Sequence, residues 1–101
     1  MPQTKVIERI SSDLEPLIER FMSNSLSDLS AMRASLKHDD FETVQRLGHN
    51  AKGSGLGYGF LVLGEIGRRI EDAAKKRDSV AVAYELDELE RYLQCVEVEL
   101  V

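Results

Sequence analysis

Between Arg46 and Phe60 the chain reads RLGHNAKGSGLGYGF. Gly48, Gly53, Gly55, Gly57 and Gly59 fall in a segment whose apolar spacing is otherwise helical. Each glycine in a helix interior costs about 1 kcal/mol relative to alanine, so five would cost roughly 3–5 kcal/mol. A small domain has a net stability of only about 5–15 kcal/mol. A fold that keeps these glycines must therefore use them, either to bring backbones together or to keep a side chain uncovered. The side chain in the middle of the run is His49.

The surrounding pattern is helical throughout. Ser11, Ser12 and Asp13 offer capping side chains, and Pro16 suits a first turn. Apolar residues at Leu14, Leu17, Ile18, Phe21, Met22, Leu29, Met32 and Leu36 predict a helix over about 14–37, with Ser23-Asn24-Ser25 as its weak spot. His38-Asp39-Asp40 reads as a turn in which Asp39 or Asp40 caps the next helix, Phe41 to Tyr58. Adjacent residues on a turn diverge, so His38 beside two acids is not read as a metal site. A third helix is expected over about 60–76, with Leu63, Ile66, Gly67, Ile70, Ala73 and Ala74 inward. A fourth is expected from Ser79 to Glu99, with Val82, Leu86, Leu89, Leu93, Val96 and Leu100 as its seam. No alternating run is judged long enough for a sheet. Four amphipathic helices joined by short turns imply an all-α fold, an up-down antiparallel four-helix bundle. One domain spans residues 1–101, with the bundle over 13–100 and residues 1–12 as a loosely attached arm.

Charge and composition narrow the function. The chain carries a net charge of −5, and the acidic excess lies in its last stretch, from Glu85 to Glu99. No basic stripe or aromatic array is present, which argues against nucleic acid. No apolar run is long enough to span a bilayer, and the N-terminus lacks a charged-then-apolar leader, so a cytoplasmic location is expected. Cys95, the only cysteine, reads as core filler.

On the second helix, Phe41, Val44, Leu47, Gly48, Ala51, Gly55 and Tyr58 form the inward face. The opposite strip holds Glu42, Gln45, Arg46, His49, Lys52, Gly53, Leu56 and Gly57. Helical side chains lean toward the N-terminus, so the residue at i+4 covers residue i. For His49 that residue is Gly53, and Gly57 clears the next patch. An exposed imidazole is mostly neutral near pH 7, and its free ring nitrogen is a nucleophile toward phosphorus. Lys52, at i+3, supplies a cation for the phosphoryl charge. No carboxylate pair, serine–histidine pairing or nucleotide-binding loop accompanies it, so an autonomous enzyme is not expected. A presented nucleophile of this kind can carry a group between partners.

The run His49-Asn50-Ala51-Lys52-Gly53-Ser54, with Gly59, Leu63 and the Ile70-Glu71 pair, resembles the signature of histidine-containing phosphotransfer (HPt) domains. In that family Lys-Gly-Ser or a close variant follows the histidine, and a glycine stands ten residues after it, as Gly59 does here. Tyr58 and Gly55 depart from the family's usual aliphatic and serine or alanine residues, which touches packing more than chemistry. The resemblance covers about residues 14–98. It implies a phosphorelay intermediate in two-component signalling: His49 takes a phosphoryl group from a receiver-domain phosphoaspartate and passes it to another receiver aspartate. Lys52 would steady the phosphoryl charge, and Gln45, Arg46, Gly53, Leu56 and Gly57 would meet the partner. The implied partners are response-regulator receiver domains, with a hybrid histidine kinase as a candidate source. The chain is expected to be a monomer that binds no metal or cofactor itself; Mg would sit on the receiver.

Three rival readings differ at identifiable features, and one of them, a kinase-attached phosphotransfer module, would need a kinase domain that this sequence does not contain. A kinase dimerisation domain also presents a histidine on a helix, but with an acid directly after it and a proline soon beyond. Here Asn50 follows His49, and no proline follows Pro16. A non-phosphorylated helical adaptor would use Leu56 and the glycine face to bind a partner.

Overall fold

The protein is described here by a computed structural model covering residues 5–101. Four helices carry most of the chain: α1 (Glu15–Lys37), α2 (Phe41–Tyr58), α3 (Leu61–Lys75) and α4 (Ser79–Cys95). Two short strands, β1 (Val6–Ile10) and β2 (Val96–Leu100), lie at the two ends of the described chain. Each helix touches the next in sequence, and α1 also touches α4, so the four close into a ring of neighbours. Phe21, Met32, Val44, Phe60, Leu63, Ile70, Val82, Leu86 and Leu89 fill its centre.

Local signals set the helix ends. Asp40 caps α2, accepting from the backbone N–H of Thr43 at 3.1 Å and from its hydroxyl at 2.6 Å. Asp78 caps α4 through the N–H of Ala81 at 3.0 Å. Gly59, at φ 96°, ends α2 in the left-handed region that glycine enters without steric cost. Just beyond it, Phe60 stacks on Phe21 with ring centroids 4.7 Å apart, and Tyr58 stacks on the same ring at 4.6 Å. These contacts tie the α2–α3 junction to α1, which runs unbroken through Ser23-Asn24-Ser25.

The all-α expectation is corrected at both ends. The fourth helix was expected to reach Glu99 but stops at Cys95. Val96-Glu97-Val98-Glu99-Leu100 alternates apolar and acidic residues and pairs with β1 in parallel, Val6 opposite Val96 and Ile10 opposite Leu100. The intervening helices supply the long crossover that parallel pairing needs. Residues 5–12 are therefore not a loose arm: Ile10 is fully buried and joins the core. The first four residues of that expected arm lie outside the described residues. Cys95 is half-buried rather than central, and its thiol donates to the carbonyl of Arg91.

β1 also completes α3. The N-cap position of α3 is Phe60, whose side chain has no acceptor to offer. Glu8 reaches over from β1 instead. Its Oε2 accepts from the N–H of Val62 at 3.2 Å and of Leu63 at 3.4 Å, and from the Tyr92 hydroxyl at 2.7 Å. An acceptor with negative charge is what unpaired N–H groups at a helix start require. Burial, with the carboxylate beside it, pushes the Tyr92 hydroxyl's pKa well up, so it stays a donor.

The closest packing in the molecule is between α2 and α3. A Cβ on Gly48 would lie 2.9 Å from both the Glu71 backbone nitrogen and Ile70 Cγ2. One on Gly55 would lie 2.8 Å from the Gly64 nitrogen. Gly53 and Gly57 have nothing within 4 Å of such an atom. The same substitution should therefore have opposite effects along one helix. Gly53→Ala is expected to stabilise by about 0.5–1 kcal/mol through helix propensity. Gly48→Ala is expected to destabilise by about 1–3 kcal/mol through overpacking. Urea unfolding of the two variants checks this; equal effects would mean that the spacing between α2 and α3 does not depend on Gly48.

Candidate functional site

The site is assembled across the α2–α3 seam. Gly48, and Gly67 facing it, let the two backbones approach. The residues on either side of that contact are thereby brought within reach of each other. His49 follows Gly48 on α2, and Glu71 lies one turn beyond Gly67 on α3. His49 Nδ1 sits 2.9 Å from Glu71 Oε2. The imidazole is 62% exposed, whereas the Glu71 side chain is only 7% exposed. Lys52 Nζ lies 3.0 Å from Glu71 Oε1, and Lys75 Nζ lies 3.7 Å from Oε2.

Glu71 is the centre of this cluster. A carboxylate out of water needs partners for its oxygens. The hydrogen bond from Lys52 does most to hold its carboxyl below the ordinary range. Burial opposes this, and His49 and the charges of Lys52 and Lys75 add to the lowering. Glu71 is therefore ionised at neutral pH and can only accept. The proton between Glu71 and His49 thus belongs to Nδ1. In the neutral ring the lone pair is then on Nε2, the nitrogen away from Glu71.

The residues expected to matter from the sequence fall around this centre in different ways. His49 and Glu71 line a shallow depression together with Glu42, Gln45 and Arg46. Gly53 and Gly57 are exposed and open, next to His49 along α2. Leu56 is half-exposed, but its side chain lies across Gly64 of α3; a Cβ on Gly64 would be 2.7 Å from Leu56 Cδ2. Lys52 is directed to Glu71 rather than to the imidazole. His49 itself stands at the α2–α3 seam, not on the back of α2. Among the described residues, no group of three or more histidine, cysteine or acidic side chains could hold a metal ion. No helix among them is long and apolar enough to cross a membrane.

Glu71 was missed as a site residue; it entered the sequence reading only as part of the Ile70-Glu71 pair. A signal was available. Gly67 at i−4 and Ala74 at i+3 are both small and inward, so an acid between them sits at the margin of α3's buried face.

A family model described as Hpt domain matches residues 16–98. The chain belongs to the Hpt domain family. Membership implies phosphotransfer in two-component signalling; domains of this family are phosphocarrier modules rather than catalysts and work with response-regulator receiver domains. Comparisons with curated proteins and with solved structures gave no significant match. The matched range runs from the second residue of α1 into β2 and leaves out β1, so the Glu8 cap lies outside the part of the chain that carries the family signal.

The depressed Glu71 pKa has a signed consequence for stability. A carboxyl whose pKa is lowered by folding stabilises the native state fully above its ordinary value of 4.5. That contribution is lost as pH falls through the lowered folded value. The unfolding free energy of the native protein is expected to exceed that of Glu71→Gln at neutral pH, with the gap closing as pH falls below about 4.5. A gap that stays constant down to pH 3 would mean that Glu71 draws no stability from its charge.

Proposed function

We propose that this Hpt domain is a phosphorelay intermediate whose phosphoryl acceptor and donor is Nε2 of His49. The observation that carries this reading is the contact between His49 Nδ1 and the ionised Glu71, which leaves Nε2 unprotonated on a 62% exposed ring. Nε2 attacks the phosphorus of a receiver phosphoaspartate. The bond from phosphorus to the aspartyl oxygen breaks, the carboxylate leaves, and a P–N bond forms. The ring becomes cationic as it does so, and Glu71, 2.9 Å from Nδ1–H, stabilises that charge. Passing the group on to another receiver aspartate runs the same steps in reverse.

Lys52 steadies the phosphoryl oxygens in this scheme. Gly53 and Gly57 leave room for the receiver beside the imidazole, and Gln45, Arg46 and Leu56 border that space. Mg, with its charge on the phosphoryl oxygens, belongs to the receiver, and this chain binds no cofactor of its own. The reading carries with it an up-down antiparallel arrangement of the helices, supported by the short turns at 38–40, 59–60 and 76–78. It also carries a monomeric, cytoplasmic protein, with a hybrid histidine kinase as one source of the receiver.

Incubation with a receiver phosphorylated on aspartate tests the proposal. An acid-labile, alkali-stable label should appear on the native protein and be absent from His49→Gln. Glu71→Gln should slow transfer by at least about tenfold, the scale of one charge-assisted hydrogen bond of about 1.5–3 kcal/mol. Gly53→Gln should slow transfer while the fold is kept, because glycine removal favours the helix. Label on His49→Gln equal to that on the native chain would refute the assignment.

A further inference from the structure

Resting on the assignment of His49 as the phosphoryl carrier, we propose that Lys52 and Lys75 share Glu71, and that Lys75 takes over Glu71 when Lys52 turns to a phosphoryl group on His49. Lys75 is then a positioning residue for the transfer, acting through Glu71 and not on the phosphoryl group. The need for it follows from where Lys52 is. Its ammonium is 3.0 Å from Glu71 Oε1, so it is already engaged before any phosphoryl group arrives. Moving to the new dianion would leave a carboxylate that is only 7% exposed without its shorter cationic partner. Removing one partner from a buried charge is costly, because the charge cannot recover its hydration.

Lys75 answers that need by position. It stands one turn after Glu71 on α3, its side chain is 53% exposed, and its ammonium is 3.7 Å from Oε2. That separation is longer than a hydrogen bond, so Lys75 attracts Glu71 without being locked to it. A flexible four-carbon stem can close the gap. The groups facing Glu71 within ion-pair distance, among the described residues, are His49 and Lys52 from α2 and Lys75 from its own helix. His49 keeps its Nδ1–H on Oε2 in both states, so Lys75 is the cation left to replace Lys52.

The test uses phosphoramidate as a small donor, so no receiver is needed. His49 Nε2 displaces ammonia: the P–N bond of phosphoramidate breaks, the P–N bond to the ring forms, and the amine leaves protonated. The equilibrium ratio of phosphorylated to free His49 is read by 31P NMR for the native chain, Lys75→Met, Lys75→Arg, Lys52→Met and the double variant. With phosphoramidate and ammonia held at the same concentrations for every variant, differences in this ratio report the free energies of the two protein states and not docking. Lys75→Met is expected to lower it roughly threefold to tenfold, the range of a charged contact at a partly exposed site. Lys75→Arg should keep the native ratio. In the Lys52→Met background nothing leaves Glu71, so adding Lys75→Met should change the ratio little. An unchanged ratio in Lys75→Met would overturn the handover. So would an equal drop with and without Lys52, because Lys75 would then be acting directly on the phosphoryl group. If the ratios behave as expected but no receiver exchanges phosphoryl with His49, the handover stands and the relay assignment fails.

Discussion

The close approach of α2 to α3 is the constraint on which the site depends. It exists because Gly48 and Gly55 on one helix, and Gly64 and Gly67 on the other, present no side chain at the contact. With ordinary residues there the axes would move apart, and Glu71 would lose its reach to His49. The helix-propensity cost of the glycines is thus exchanged for a geometry in which a nitrogen on α2 and a carboxylate oxygen on α3 stand at hydrogen-bond distance, 2.9 Å apart. The outward glycines, Gly53 and Gly57, contribute nothing to that contact; the space they leave lies outside the bundle.

A second constraint is the buried carboxylate at each end of α3. Glu8 holds its N-terminus from β1, and Glu71, near its C-terminal end, holds His49. Both are satisfied: no buried side-chain nitrogen or oxygen among the described residues lacks a partner. A buried charge that keeps its partners avoids the cost of an unpaired one, and its pairing is by itself weak evidence of added stability. α3 is therefore tied at its N-terminal end to the strand pair through Glu8 and near its C-terminal end to α2 through Glu71.

The sequence made α2 legible to its last residue because both ends carry local signals. Asp40 caps through Thr43 three residues on, and Gly59 supplies the left-handed turn. The direction of each glycine in the 48–59 run was also readable, since it follows from helical geometry alone. What could not be read was whatever depends on distant pairing. Val96–Leu100 continued the apolar spacing of α4, and only its partner Val6–Ile10 makes it a strand. Glu8 looked like one more charge in a terminal segment; its burial is decided by α3 and Tyr92. Glu71 entered the sequence reading only through the Ile70-Glu71 pair, and its small neighbours Gly67 and Ala74 marked it as marginal to the buried face without naming a partner. Its pairing with His49 spans the helix crossing that the glycines create.

The central claim is that Glu71 holds the proton on Nδ1 and leaves Nε2 of His49 as the nucleophile. Long-range 1H–15N NMR of the His49 ring, before and after phosphorylation, tests it most directly. The structure predicts the Nδ1–H tautomer in the neutral ring and phosphorus bonded to Nε2. A predominant Nε2–H tautomer, or phosphorus on Nδ1, would contradict it.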